Sequence, residues 1–431
     1  MLIACPDCAA IQTLPPLRAS GVLRCQRCDI ILERTNGRGL DLALSCSITT
    51  FLLLFPANFL ATLTVISPLG LSASIHLATG IGTIWGQRWP FLAIGCLLLA
   101  IVLPFLRFGL LSLTLLAIRR GARGAWIGRA FRYANALDMW AMPDVLLIGA
   151  LIGYGRVVPF LPVRIDLGGY CFFAAALLSM ITRASLDRRA IWRFIEPPPV
   201  ATGSDPVSCT SCDLVLPASM EGRRCPRCEA RVHRRKPHAL MRAMALVMAA
   251  YILPPISNYF PMTILYRLGM VQQRLTIFRG IQLLFDNGHL PLAVLLSCTS
   301  LGIPIAKLVV MTWLFVSIGT HSNRALRWKT KTYRIVDEMG RWSNLDPFAV
   351  MIYAPMVQFG SLARVEVGLG SPSFLAVVIV SMLAARVFDP RLIWDFSKYP
   401  DRPLIRAVGQ LIEAPATGEA DQDDQLEAKS A

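Results

Sequence analysis

Apolar residues along the chain gather into eight long stretches, near Leu42 to Ile66, Trp89 to Ile118, Met142 to Phe160, Leu167 to Ile181, Ala239 to Met262, Leu290 to Ile318, Leu345 to Leu362 and Leu369 to Ala385. A helix of roughly 20 apolar residues crosses a bilayer core, so each stretch predicts a membrane span, the fourth and eighth being the shortest and most oblique. Arginines cluster between them. Arg119, Arg120, Arg123, Arg129 and Arg132 follow the second stretch, Arg183, Arg188, Arg189 and Arg193 the fourth, and Arg324, Arg327, Lys329, Lys331, Arg334 and Arg341 the sixth. Cation-rich short loops stay in the cytoplasm, which places these three loops and both termini inside. Arg267, Arg274 and Arg279, between the fifth and sixth stretches, run against that rule.

Composition supports the same class. The chain is 55% hydrophobic and 16% charged, against roughly 25% charged for a soluble domain. Its formal charge of +16 lies in loops flanking spans rather than on one nucleic-acid-binding face. MLIACPDC has neither a charged nor an apolar leader region, so no cleavable signal peptide is expected. Residues 414–431 hold Glu419, Asp421, Asp423, Asp424 and Glu427 with few large apolar residues, the composition of a disordered acidic tail.

A repeat runs through the chain. Asn58 and Asn258, Pro104 and Pro304, and Arg107 and Lys307 are separated by 200 residues, whereas Trp140 and Trp342, Asp144 and Asp346, and Trp192 and Trp394 are separated by 202. The last pair closes matching strings, SMITRASLDRRAIW from Ser179 and SMLAARVFDPRLIW from Ser381. Four spans per copy is an even number, so the copies enter the membrane in the same sense, as parallel repeats. The prediction is a polytopic α-helical membrane protein with two tandem repeats of four transmembrane helices, each preceded by a small cytoplasmic zinc ribbon. The expected units are a ribbon at 1–38, a membrane domain at 39–196, a second ribbon at 203–236, a second membrane domain at 237–396 and the tail.

The ribbons are read from cysteine spacing. Of twelve cysteines, eight form four C-x-x-C pairs: Cys5 and Cys8, Cys25 and Cys28, Cys209 and Cys212, Cys225 and Cys228. Two such knuckles joined by a short hairpin present four sulfurs to one tetrahedral Zn2+, giving two sites in the chain. Modules this small lack a core of their own, so metal binding supplies folding energy. Iron in a similar site is the rival metal. A thioredoxin-like redox role lacks the surrounding strand and helix pattern. Closed four-thiolate sites leave no open position for catalysis, so a structural or docking role is expected. Arg223, Arg224, Arg227, Arg231, Arg234 and Arg235 surround the second ribbon, but cations beside a span satisfy the orientation rule without nucleic acid.

Ionisable residues within a span are costly and therefore informative. Lys307 lies 12 residues before Gly319, about 18 Å along a helix and too far to snorkel with ease. Ser300 is seven residues earlier on the same face, with Pro304 loosening the backbone between them. Asp144 and Asp346 follow Trp140 and Trp342 by one turn; they are either helix-start caps or, with Ser343 and Ser381, parts of a polar path from Lys307. The competing reading makes Lys307 a structural cation at a helix bend. No G-x-x-x-x-G-K-[ST] loop is present, so this chain does not hydrolyse ATP through that motif and is read as no enzyme. His76, His233, His238, His289 and His321 include no mid-span pair for a haem.

CPDC with CQRC, CTSC with CPRC, FPANFL, PPISNYFP, IPIAKL, GRWSNLDPF and SMLAARVFDPRLIW together resemble the paraquat-inducible protein A family, which includes the A component of the lipophilic envelope-spanning tunnel system. The resemblance covers nearly the whole chain outside the tail. Asn344 stands where the family motif commonly has methionine, and Arg107 and Arg156 stand where lysine would be sought. The resemblance implies an inner-membrane component that works with a periplasm-spanning MCE-domain protein and moves phospholipid or other hydrophobic molecules between the two membranes. Lys307, Ser300, Ser343, Ser381 and Asp346 are then the candidate transport and proton-coupling residues. A membrane-anchored zinc-ribbon scaffold or sensor without transport activity is the alternative.

Overall fold

Backbone groups in an apolar stretch have no solvent to bond, so the stretch folds into helix, where each N–H finds its own carbonyl. The computed structural model describes residues 2–13, 21–35, 39–66, 72–122, 124–158, 161–195, 206–267, 270–286, 288, 290–359 and 363–395. The acidic tail expected at 414–431 lies outside them.

The first ribbon consists of two antiparallel hairpins, β1 (Leu2–Ala4) with β2 (Ile11–Thr13) and β3 (Gly21–Arg24) with β4 (Ile31–Thr35). The chain then enters α1 (Gly39–Phe59), β5 (Leu63–Ile66), β6 (Ser72–Ile75) and α2 (Leu77–Gly86). α3 (Pro90–Leu97) runs through a π-helical turn at Leu98–Val102 into α4 (Leu103–Arg119), followed by α5 (Ala125–Leu137), α6 (Pro143–Val157), β7 (Val163–Ile165), α7 (Leu167–Ser185) and α8 (Arg188–Phe194). The second ribbon has β8 (Pro206–Ser208) and β9 (Val215–Pro217). Its membrane half repeats the order: α9 (Ala239–Tyr259), β10 (Thr263–Arg267), β11 (Met270–Leu275), α10 (Ile277–Asp286), α11 (Leu290–Ser297), a π-helical turn at Cys298–Gly302, and α12 (Ile303–Gly319). α13 (Leu326–Met339), a 3-10 turn at Gly340–Asn344, α14 (Leu345–Met356), β12 (Ala363–Val367), α15 (Gly370–Val387) and α16 (Arg391–Asp395) complete it.

Among the described residues, six helical segments are long and apolar enough to cross a membrane: Leu40–Phe59, Pro90–Arg119, Leu167–Ser185, Ala239–Tyr259, Ala293–Gly319 and Gly370–Val387. The third apolar stretch of each half forms a shorter helix, α6 of 15 residues and α14 of 12, spanning about 22 and 18 Å. Both lead from the ribbon end of the molecule to the sheet end, so each half has four passages between those ends, three of them long and apolar enough to cross a membrane. Protein shields α14 throughout, every residue of it being buried, whereas α6 leaves Leu151 53% exposed. α6 and α14 pack on each other where Gly149 lets the backbones close, since a Cβ there would sit 3.1 Å from the Leu345 carbonyl oxygen. One core, including Leu92, Met142, Val145, Phe348, Met351 and Leu375, runs across both halves.

The repeated prolines explain the repeated π turns. Pro104 and Pro304 lack the N–H that would bond the carbonyl four residues back, and the helix absorbs the loss by widening one turn. At the end opposite the ribbons, each half closes with a three-stranded antiparallel sheet, ordered β6-β5-β7 and β11-β10-β12. β5 takes up the end of the first apolar stretch, expected as part of a span to Ile66, while the other strands of these sheets and helices α2, α5, α10 and α13 fall in segments the hydropathy pattern leaves as loops.

Candidate functional site

All four cysteine knuckles share one geometry. In each, the residue after the second cysteine adopts a left-handed backbone: Ala9, Asp29, Asp213 and Glu229, with φ of 56°, 59°, 57° and 55°. Its N–H donates to the carbonyl of the first cysteine, at 3.0, 2.9, 3.1 and 2.8 Å. That turn aims both sulfurs inward. Cys5 and Cys28 Sγ lie 3.5 Å apart, and Cys8 and Cys25, Cys209 and Cys228, and Cys212 and Cys225 each 3.6 Å. Within each set of four, all sulfurs lie within 4.8 Å of one another and all are buried. A tetrahedral ion with metal–sulfur bonds of about 2.3 Å needs sulfurs about 3.8 Å apart, so both donor sets fit such an ion.

The ribbons are crossed. Cys5, Cys8, Cys25 and Cys28 pack into a core with Leu308, Phe315, Tyr333, Phe388 and Trp394 of the second half. The second ribbon packs on Ala43, Leu111, Phe131 and Trp192 of the first. Ion pairs fix both docks: Arg334 to Asp7, Arg129 to Glu229 at 2.6 Å and Arg189 to Asp213 at 3.5 Å. Arg27 lies over the Trp394 ring at 4.6 Å. An Ile3–Leu214 bridge joins the ribbons to each other, and Arg391 bonds Pro6 O and Ser208 Oγ, one from each side.

Inside the second half, the π turn carrying Ser300, α12 carrying Lys307, the 3-10 turn carrying Ser343 and α15 carrying Ser381 meet. Lys307 is 2% exposed. Its ammonium occupies the space a side chain would take at Gly340, where a Cβ would lie 2.5 Å from Lys307 Nζ. Ser300 Oγ and Ser343 Oγ are buried without hydrogen-bond partners among the described residues. Ser381 Oγ donates to Val378 O at 3.0 Å, within its own helix. Asp346 is buried at the start of α14. Asp337, three residues before Gly340, is a carboxyl that burial pushes above its usual range against the pull of Arg386, Lys307 and Lys236.

The first half treats the matching position differently. Arg107, as buried as Lys307, forms an ion pair with Asp138. Asp138 also receives Arg183 Nε at 3.2 Å and pairs with Arg188. Burial would raise this carboxyl, but Arg107, Arg188 and Arg183 overcome it and hold it at about 2. Asp144 makes no helix cap; it accepts Arg183 at 3.1 Å and, across the two halves, Arg341 at 3.4 Å. At the 202-residue offset, Asp138, Arg183 and Arg188 correspond to Gly340, Ala385 and Pro390. None of the three residues that build the network around the first cation recurs at the matching position around the second. Asp138 and Gly340 are the residues a reading of single motifs passes over; aligning the repeat through the Trp140–Trp342 pair would expose them.

The family model for Paraquat-inducible protein A matches residues 40–196 and again 240–397. The chain is 25% identical over 405 residues to Intermembrane transport protein PqiA of Escherichia coli (strain K12), covering 91% of this chain and 95% of that one. It is 27% identical over 402 residues to Lipophilic envelope-spanning tunnel protein A of the same strain, covering 91% and 90%, and 23% identical over 410 residues to a Probable intermembrane transport protein of Haemophilus influenzae, covering 91% and 95%. No solved structure matches the chain. Two matched segments, one on each repeat and together most of the sequence, establish that this chain belongs to the paraquat-inducible protein A family.

Proposed function

We propose that this protein is the inner-membrane component of a lipid transport system, passing phospholipid or another hydrophobic molecule to or from a periplasmic MCE-domain partner, with the ribbon end in the cytoplasm. Relatives called intermembrane transport and envelope-spanning tunnel proteins support the role. The two ribbons, within 1–38 and 203–236, bind one Zn2+ each and tie the membrane halves, 39–196 and 237–396, together. They perform no catalysis.

The observation that carries the mechanism is the unequal treatment of two repeat mates. Arg107 has a carboxylate in contact and serves as a fixed brace. Lys307 has a glycine at that place, two unpartnered hydroxyls near it and a carboxylate one turn away. A lysine can exchange its proton there and a guanidinium cannot. Lys307 is therefore the proton-coupling residue, with Ser300 and Ser343 at the entry of its path and Ser381 and Asp346 bordering it. Lys307→Ala should abolish the envelope lipid-transport phenotype while expression, metal content and copurification of the MCE-domain partner stay near normal, and Lys307→Arg should not restore it. Full rescue by arginine would eliminate proton release; failure of both variants to accumulate in the membrane would make Lys307 a structural cation.

A further inference from the structure

The repeats part company at the sheet end. α2 is pressed into the centre of the molecule, where a Cβ at Gly80 would lie 2.1 Å from the Met351 carbonyl oxygen of α14. Its repeat mate α10 meets no such wall: a Cβ at Gly280 would find nothing within 4 Å, and Ile277 is its one buried residue. Sequence diverges at the same place. Ser74, Thr79, Gly82 and Gly86 of the first half are replaced by Arg274, Arg279, Gln282 and Asp286 in the second. These four side chains, with Gln272 and Leu283, line an open cleft of about 660 Å³ between β11 and α10.

α10 turns a different face outward. Phe278 and Phe285, seven residues apart and so on one side of the helix, are 68% and 61% exposed. A helix with exposed phenylalanines on one face, and Arg279 and Asp286 about a quarter to a third of a turn round from them, is suited to the headgroup plane of a bilayer. In that setting the cleft would open at the depth of lipid phosphates, which would also account for arginines that break the positive-inside pattern. Guanidinium groups match phosphate oxygens in a paired geometry, and the Asp286 carboxylate is placed to receive an ammonium.

We propose that the β11–α10 cleft binds a phosphoethanolamine headgroup, with the phosphate on Arg274 and Arg279 and the amine on Asp286, and thereby selects the lipid that the second half handles. The purpose of the site rests on the transport reading above, but binding does not require transport. The same chemistry would take free phosphate, so the test separates the two sources. The full chain is placed in phosphatidylcholine nanodiscs doped with headgroup-photoactivatable phosphatidylethanolamine or phosphatidylglycerol, and crosslinks to 270–286 are quantified. Phosphatidylethanolamine should label more strongly. Labelling should fall about fivefold in the combined Arg274→Gln and Arg279→Gln variant, the scale of losing exposed charge-assisted bonds, and recover with lysine at both positions. Asp286→Asn should move the preference toward phosphatidylglycerol. Unchanged labelling in the glutamine variant, with normal metal content and a monodisperse preparation, overturns the proposal. Complete displacement of labelling by inorganic phosphate reassigns the cleft to a soluble anion and overturns it too. Lys307→Ala should leave the labelling as it is, so failure of the coupling mechanism is read separately.

Discussion

Lys307 and Arg107 are equivalent in sequence and opposite in circumstance, and of the differing positions around them the pair Gly340 and Asp138 decides whether a counter-ion is in contact. Supplying the second cation with the first one's counter-ion should turn it into a brace. Gly340→Asp is sterically cheap, because the atom its Cβ would displace is the far end of the flexible Lys307 side chain. The variant is expected to insert and bind metal as the unmodified protein does and to lose lipid transport; normal transport would show that an unpaired Lys307 is not required. Asp138→Asn is expected to do the reverse. It strands Arg107 in a buried setting, which costs about 3–5 kcal/mol, and a lowered unfolding temperature in detergent should register it. The sequence makes Lys307, Ser300 and Ser343 visible, because polar atoms in an apolar run stand out. It hides Gly340, whose contribution is the absence of a side chain, and Asp138, which sits in a basic loop where a carboxylate attracts no notice.

The four knuckles repeat one turn, and each set of four sulfurs closes at a spacing suited to a tetrahedral ion. The purified chain should contain two zinc ions, and Cys209→Ser should reduce this to one while leaving the first site filled, as metal analysis by mass spectrometry would read. Retention of a single ion in the unmodified protein would refute the pairing of these sites. Because Cys209 and Cys225 lie in the same core as Phe131 and Trp192, whose rings meet edge to face at 4.9 Å, losing the second metal should also disturb the first membrane half. Cysteine spacing and long apolar runs are strong signals, so the ribbons and the long spans are legible in the amino-acid order alone. The sheets and α2, α5, α10 and α13 are not, since strands of three to six residues and short amphipathic helices are averaged away beside hydropathic stretches of span length. α14 reads as a full span because total burial and lipid exposure select the same apolar residues.

Across the molecule, two parallel halves share a core through α6 and α14 and are strapped by ribbons that each reach the opposite half. Asp144 joins Arg183 of its own half to Arg341, the neighbour of Gly340, so the braced side and the Lys307 side are in direct mechanical contact. Sequence offsets reveal the duplication, but they carry no trace of which half a ribbon packs on; that depends on contacts between residues such as Arg334 and Asp7, 327 positions apart. On the proposed reading, the molecule is two similar devices of which one is pinned by Asp138 and one is left able to change charge. The most direct test is lipid delivery from proteoliposomes of this chain to the MCE-domain protein proposed as its partner, with and without an imposed pH gradient. The account predicts delivery that responds to the gradient in the unmodified protein and loses that response in Lys307→Ala and Gly340→Asp. Equal delivery with and without the gradient, unaltered by Lys307→Ala, would contradict it.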